Sequence, residues 1–151
     1  MPCPKCLHDP KTHNFQILGK SSQGSTLLYF KPFDATEKEF TEESIKCYYA
    51  HFDELQGPWV WLFDATDLHK LKTPSVSLLR TLYTGVQERY KNTLKCIYIL
   101  HPNWRLESIL GMIRPFMKKE AKQRLVENPS ALELVGVGID AALVKSLLRC
   151  G

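Results

Sequence analysis

The feature that most constrains the fold is a pair of short runs that are apolar on both faces. They are Trp59-Val60-Trp61-Leu62-Phe63 and Cys96-Ile97-Tyr98-Ile99-Leu100. A strand with one face in water alternates apolar and polar residues, whereas a continuous apolar run is typical of a parallel strand covered by helices on both faces. Segments with helical spacing lie between and after these runs, so the strands and helices alternate. The pattern predicts an α/β fold, a three-layer sandwich with a mostly parallel central sheet.

The ends of the predicted helices carry local signals. Ser or Thr followed three residues later by Glu forms a capping box, and Pro is favoured at the first helical position. These signals stand at Thr36 with Glu39, at Thr73 with Pro74, and at Ser130 with Glu133, and Asp140 can cap the last helix.

The domain organisation follows from length and local composition. A chain of 151 residues predicts one domain. Residues 1–26 are polar and contain several Pro and Gly, which predicts an irregular N-terminal arm before a domain at 27–151. The first strand is predicted at Leu27–Phe33, and a short edge strand at Leu125–Val126.

Composition narrows the function classes. The N-terminus has no apolar segment of a signal peptide, and no run is long enough to span a bilayer, so we expect a cytoplasmic protein. The odd number of cysteines, 5, fits a reducing compartment. The net charge of +4 is mild, and no dense basic stripe indicates nucleic-acid binding.

The arm contains a metal-like motif. Cys3-x-x-Cys6 is followed by His8 and His13, which supplies part of a tetrahedral zinc set. The second half of the usual pattern is missing, and an arm with exposed thiols explains the same residues. We therefore expect no cofactor, with a structural zinc at this arm as the open alternative.

Acidic side chains follow the predicted strands. Asp34, Asp64, Asp67 and His101 all come just past strand ends. Ligands of open parallel sheets bind at that edge, so these groups could serve a small metal-dependent hydrolase. Asp also opens turns and caps helices at the same places, and we favour that interpretation and expect no enzyme.

The segment Trp104–Met117 is apolar on more than one face, which is typical of a buried helix or of one that covers an apolar ligand or partner. Pro115 removes a backbone donor and clashes four residues back, at Gly111, so we expect a kink or break there. A basic stretch follows at Lys118, Lys119, Lys122 and Arg124. Such a patch suits peripheral contact with anionic lipid headgroups, or is the solvated end of a core helix.

Taken in order, these pieces resemble the CRAL-TRIO lipid-binding domain, in its divergent compact branch. The matching pieces are the strand Trp59–Asp64, the helix from Pro74-Ser75 to Arg89–Asn92, the strand and turn Leu94–Pro102, and the apolar helix that reaches Ile113-Arg114-Pro115-Phe116.

The resemblance implies a non-catalytic module that holds a lipid or other apolar molecule between the sheet and a gate helix, Trp104–Phe116. The expected pocket is lined by Phe63, Tyr98, Leu100, Ile109, Met112, Ile113 and Phe116. The alternative is a protein-interaction module without a lipid cavity, whose partner is a small GTPase, a sister domain or another protein.

Overall fold

A computed structural model describes residues 15–30, 42–66 and 76–149. Within these ranges the strands are β1 (Phe15–Lys20), β2 (Thr26–Phe30), β3 (Trp59–Asp64), β4 (Leu94–Leu100) and β5 (Leu125–Glu127). The helices there are α1 (Glu42–Phe52), α2 (Val76–Arg89), α3 (Trp104–Ile113), α4 (Lys119–Arg124), α5 (Ala131–Gly136) and α6 (Ala141–Arg149). A 3₁₀ turn, Arg114–Phe116, separates α3 from α4.

The strands form one sheet in the order β1-β2-β3-β4-β5. β1 is antiparallel to β2, and the pairs from β2 to β5 are parallel. From β2 to β5, each strand pairs with the one that follows it in the chain, so the sheet grows in one direction. Because the connections between parallel strands are right-handed, the helices in these connections lie on one face of the sheet. The opposite face is covered by α5 and α6. The predicted three-layer α/β sandwich with a mostly parallel sheet is confirmed.

Each face of the sheet has its own apolar core. Trp59, Trp61 and Ile97 pack with α1, α2 and α3 in one core, which we call the crossover core. Leu62 and Tyr98 pack with α5 and α6 in the other, which we call the return core. This explains why the runs Trp59–Phe63 and Cys96–Leu100 are apolar, since successive side chains point to opposite faces and helices cover both faces.

The irregular arm predicted for residues 1–26 is wrong for part of its length, because Phe15–Lys20 forms β1. Its pairing with β2 rests on backbone hydrogen bonds, while Gln16, Ile17 and Lys20 are exposed. The alternation Phe15-Gln16-Ile17 stops at Leu18, so the residue pattern is too short to indicate a strand. Residues 1–14 lie outside the described ranges.

The predicted break near Pro115 is confirmed. α3 ends at Ile113, two residues before Pro115, and the chain leaves the 3₁₀ turn in an extended conformation at Met117. The missing proline N–H explains why the helix cannot continue through this point. The apolar segment Trp104–Met117 is therefore a helix followed by a tight turn.

Other helix signals are confirmed where they are described. Ser130 and Glu133 form the capping box of α5 in both directions. The Oδ2 atom of Asp140 accepts hydrogen bonds from the first backbone N–H groups of α6. The signals at Thr36, Glu39, Thr73 and Pro74 fall outside the described residues. No helix in the described part of the chain is long and apolar enough to cross a membrane.

Candidate functional site

The acidic side chain at the end of β3, Asp64, accepts hydrogen bonds that stabilise the turn after this strand. Asp64 is buried. Its Oδ1 accepts hydrogen bonds from the backbone N–H of Thr66 at 2.9 Å and from the Thr66 hydroxyl, and its Oδ2 accepts one from the Tyr29 hydroxyl. Both carboxylate oxygens are thus used to close a turn and to join β2 to β3.

Of the other members of the predicted acidic group, only His101 lies within the described residues. His101 follows β4 in a left-handed conformation, with φ at 53°, and its Nε2 lies 2.9 Å from the carbonyl oxygen of Leu147. Asp34 and Asp67 lie outside the described residues, as do Cys3, Cys6, His8 and His13. Across residues 15–30, 42–66 and 76–149, no group of three His, Cys, Asp or Glu side chains could hold a metal ion.

The start of α3 is fixed by one asparagine. The Asn103 side-chain oxygen caps the helix by accepting from the backbone N–H of Leu106 at 3.1 Å. Its Nδ2 donates to the carbonyl oxygen of Ala65 at 2.7 Å, just past β3. A side chain that caps a helix and also donates to a neighbouring strand end holds the N-terminal end of α3 to the sheet.

An apolar cavity of about 80 Å³ lies between the crossover face of the sheet, α2 and α3. Only apolar atoms form the surface of this cavity. The sheet contributes Trp61, Phe63, Ile97, Ile99 and Leu125, α2 contributes Leu79, Leu82, Tyr83 and Val86, and α3 contributes Leu106, Ile109, Leu110 and Ile113.

The structure separates the predicted pocket residues into three groups. Phe63, Ile109 and Ile113 line this cavity. Tyr98 and Leu100 belong to the return core on the opposite face, so their placement beneath α3 is wrong. Side chains alternate along β4, and the odd-numbered Ile97 and Ile99 face α3 instead.

The remaining two predicted residues lie beside the cavity. Met112 is partly buried against the crossover core but does not line the cavity. Phe116 is 45% exposed and lines a neighbouring cavity described below. The contribution of α2 was missed, although Leu79, Leu82 and Val86 have the helical spacing of a core stripe.

In this conformation of the protein, the volume of the cavity is too small for a ligand of ordinary size. An apolar cavity of ~150 Å³ in a protein core holds benzene, and binding pockets for larger ligands span ~300–1,000 Å³. A volume of about 80 Å³ holds neither. A lipid-sized ligand therefore requires α3 to move away from the sheet.

The C-terminal end of α3 is held by surface contacts. Arg114 forms ion pairs with Glu127 of β5 and, at 3.8 Å, with Glu107. The Arg80 guanidinium lies 4.4 Å from the centre of the Phe116 ring. Exposed ion pairs contribute little to stability. The two ends of α3 therefore differ in their polar contacts. Partly buried hydrogen bonds hold the N-terminal end, whereas exposed ion pairs and the buried side chains of Leu110 and Ile113 hold the C-terminal end.

A second cavity of about 210 Å³ adjoins the first, between the C-terminal half of α2 and α4. Its lining is part polar and part apolar, and Tyr83 contributes to both cavities. Burial raises the pKa of Tyr83 to about 12, and the nearby positive charge of Arg124 opposes that rise. The Tyr83 hydroxyl is thus protonated at neutral pH.

Comparison with known proteins places these cavities inside a recognised region. A family model described as "Divergent CRAL/TRIO domain" matches residues 27–148. The chain is 23% identical over 109 residues to "Rho GTPase-activating protein gacY" of Dictyostelium discoideum, covering 71% of this chain and 15% of that protein. It is 30% identical over 78 residues to "Protein prune homolog 2" of Mus musculus, covering 52% of this chain and 2% of that protein.

A further relative is "Rho GTPase-activating protein 68F" of Drosophila melanogaster, 22% identical over 132 residues, with 82% of this chain and 28% of that protein covered. The chain thus spans less than a third of the length of each of these relatives. The family match includes every element from β2 to most of α6 and leaves out β1.

Proposed function

The chain belongs to the divergent CRAL/TRIO domain family, and we propose that it is a non-catalytic module that binds a lipid or other apolar molecule between its sheet and α3. The family supports a lipid-binding module. The observation that carries the proposal is the cavity beneath α3, whose surface is wholly apolar. Water gains no hydrogen bonds in such a space, so a hydrocarbon chain is the favoured occupant.

Ligand entry requires a hinge motion of α3, and the contacts at its two ends favour one direction. Asn103 keeps the N-terminal end on the sheet through its bond to Ala65. The break at Pro115 frees the C-terminal end from the helix that follows. We infer that α3 pivots near Asn103 and lifts its last turn, which carries the buried Leu110 and Ile113.

The cost of this motion sets the population of the open form. Full burial of a Leu or Ile side chain stabilises by about 1.5–3 kcal/mol, so partial exposure of Leu110 and Ile113 costs about 3–4 kcal/mol. The open form is then populated on the order of 0.1–1% without ligand. The ligand's apolar chain replaces the lost contacts in the open form, so its binding free energy must exceed this cost.

The first test is native mass spectrometry of protein purified without detergent or a denaturing step. We expect a mass excess that is lost on denaturation and is recovered as lipid. The same protein, delipidated, should bind dodecanoate or dodecanol in calorimetry. A bare polypeptide mass, together with no binding of either compound, would show that the proposal is wrong.

A matched pair of variants locates the site. Ile109→Phe places a larger side chain at a cavity-lining position. Ile17→Phe makes the same change on β1, where the side chain is 59% exposed. We expect Ile109→Phe to remove bound lipid and Ile17→Phe to retain it. Equal lipid occupancy in the two variants would place the ligand elsewhere.

A second candidate function, a protein-interaction module, is favoured by Trp104. This side chain is 68% exposed at the first position of α3, and two of the relatives are named Rho GTPase-activating proteins. Exposed tryptophans are frequent anchors in interfaces. If a small GTPase binds here, Trp104→Ala should abolish its binding in calorimetry while dodecanoate binding is retained. Binding unchanged by the substitution would reject Trp104 as the anchor.

We infer a cytoplasmic location with peripheral membrane contact. Cys96, on β4, forms no disulfide, which is typical of a reducing compartment. Lys118, Lys119 and Lys122 are exposed beside the C-terminal end of α3, where a lipid would leave. Co-sedimentation with vesicles that contain phosphatidylserine, and none with neutral vesicles, is the expected result, and equal sedimentation with both would contradict it.

A further inference from the structure

The cavity beneath α3 and the cavity beside α4 share the Tyr83 side chain. One has a wholly apolar surface, and the other has both polar and apolar surface. A ligand that occupies both must therefore be apolar along one part and polar at one end. This arrangement matches a single-chain amphiphile better than a molecule that is apolar throughout.

Two side chains that line the polar cavity carry polar atoms without a hydrogen-bond partner among the described residues. The Tyr83 hydroxyl and the Gln87 Nε2 are buried, and neither has a hydrogen-bond partner among the residues that the structure describes. They are four residues apart on α2, so they lie on one helix face, and both residues line the cavity. Buried polar groups without a partner are rare in proteins and call for an explanation. A ligand atom that accepts from them is such an explanation.

The charged groups around the cavity also favour an acceptor. Lys91, Lys118 and Arg124 line it, together with the carboxylates of Glu88 and Glu120. Lys118 is paired with Glu88 at 3.3 Å, and an Arg124 guanidinium nitrogen donates to the carbonyl oxygen of Lys91 at 3.2 Å. Cations thus outnumber anions in the lining, and the unpaired Gln87 Nε2 is a donor.

We propose that the cavity beside α4 binds the anionic head of a single-chain amphiphile, a carboxylate or a phosphate monoester, whose apolar tail enters the cavity beneath α3. The head accepts hydrogen bonds from Tyr83 and Gln87 and faces the positive charges of Lys91 and Arg124. The inference rests on the proposed function, because the tail occupies the same site.

The test compares dodecanoate with dodecanol in calorimetry, since the two compounds share one chain length and differ at the head. We expect dodecanoate to bind about tenfold more tightly, because hydrogen bonds to an ionised group are stronger than those to a neutral one. Gln87→Leu and Tyr83→Phe should reduce this ratio toward one, because they weaken the binding of dodecanoate more than that of dodecanol.

A control substitution separates the head site from general effects on α2 and α4. Gln123→Leu makes the same chemical change on α4 at an exposed residue that lines neither cavity. It should retain the full preference for dodecanoate. Because Gln87 Nε2 and the Tyr83 hydroxyl have no partner to lose within residues 15–30, 42–66 and 76–149, Gln87→Leu and Tyr83→Phe should also retain the wild-type urea midpoint. A fall in both midpoints would show that these atoms already have structural partners and would overturn the inference.

The outcomes distinguish the two proposals. Equal binding of dodecanoate and dodecanol would overturn the head site and leave the apolar site standing. Binding of neither compound would overturn both. Sodium acetate and inorganic phosphate serve as free anions without a tail, and if either binds as tightly as dodecanoate, the cavity recognises a free anion and the amphiphile proposal is wrong.

Discussion

Truncation of Leu110 should lower the stability of the protein and raise its affinity for an apolar ligand. Leu110 is 4% exposed and lines the cavity beneath α3. The matched control is Leu134, which is 0% exposed and lies in the return core on the opposite face of the sheet. Both are buried leucines on helices, so Leu110→Ala and Leu134→Ala remove the same atoms from different surroundings.

The two costs should differ because one site already borders a void. Loss of the three carbons costs about 2.4 kcal/mol at ~0.8 kcal/mol each, and the cavity term adds to this, giving a range of about 2.7–5 kcal/mol. Leu110 has the cavity of about 80 Å³ on one side and therefore fewer contacts to lose. We expect about 3 kcal/mol for Leu110→Ala and about 4 kcal/mol for Leu134→Ala.

The assays are urea unfolding and calorimetric titration with dodecanoate. Leu110→Ala should bind dodecanoate more tightly than wild type, because the enlarged cavity accepts a chain with less displacement of α3. Leu134→Ala should bind it as wild type does. If Leu110→Ala costs more than Leu134→Ala, or if both variants gain affinity equally, the argument from the cavity is refuted.

Three further changes test other parts of the structure. Gly138→Ala should destabilise the protein by about 2 kcal/mol or more, because φ at Gly138 is +91° and a Cβ there would meet the β1–β2 turn. The control Gly136→Ala places a Cβ that meets nothing within 4 Å, and it should stabilise the protein by about 0.5 kcal/mol. Equal urea midpoints for the two variants would contradict this. Burial raises the pKa of Tyr83 to about 12 from its ordinary value near 10, so the folded state keeps a proton that the unfolded chain releases, and stability should fall as the pH rises from about 10 to 12. Urea midpoints over that range should fall less in Tyr83→Phe, and an identical decline would refute the role of this hydroxyl. Arg114→Ala removes the partly exposed pair with Glu127, worth up to ~1 kcal/mol, and should speed dodecanoate uptake about two- to fivefold in stopped flow; an unchanged rate would show that this pair does not restrain α3.

The order of elements could be predicted from the sequence because its signals are local. Runs that are apolar on both faces predicted β3 and β4, and Pro115 predicted the break after α3. The capping box of α5 depends only on Ser130 and Glu133, three residues apart. β1 forms a hairpin with the next strand, but it escaped prediction because its six residues show no sustained apolar alternation and Gln16, Ile17 and Lys20 are exposed.

The residues that line the cavity beneath α3 could be predicted only in part, because β3 and β4 are apolar on both faces of the sheet. Ile109 and Ile113 line the cavity, and their spacing of four residues places them on one face of α3. A strand that is apolar on both faces shows no difference between them, so nothing local says whether Ile99 or Tyr98 points toward α3. That choice depends on how β4 pairs with β3, where Phe63 lies opposite Ile99 and Leu62 opposite Tyr98.

The same argument explains why the polar cavity could not be found from the sequence. Tyr83 and Gln87 stand on an amphipathic helix at positions where a half-buried polar residue is ordinary. Their significance arises only when α4 lies against α2 and removes both polar atoms from water without supplying a partner. α4 reaches that position because the chain turns sharply at Pro115 after α3. The break that frees α3 to move therefore also brings α4 against α2, so one local feature of the sequence underlies both proposed parts of the ligand site.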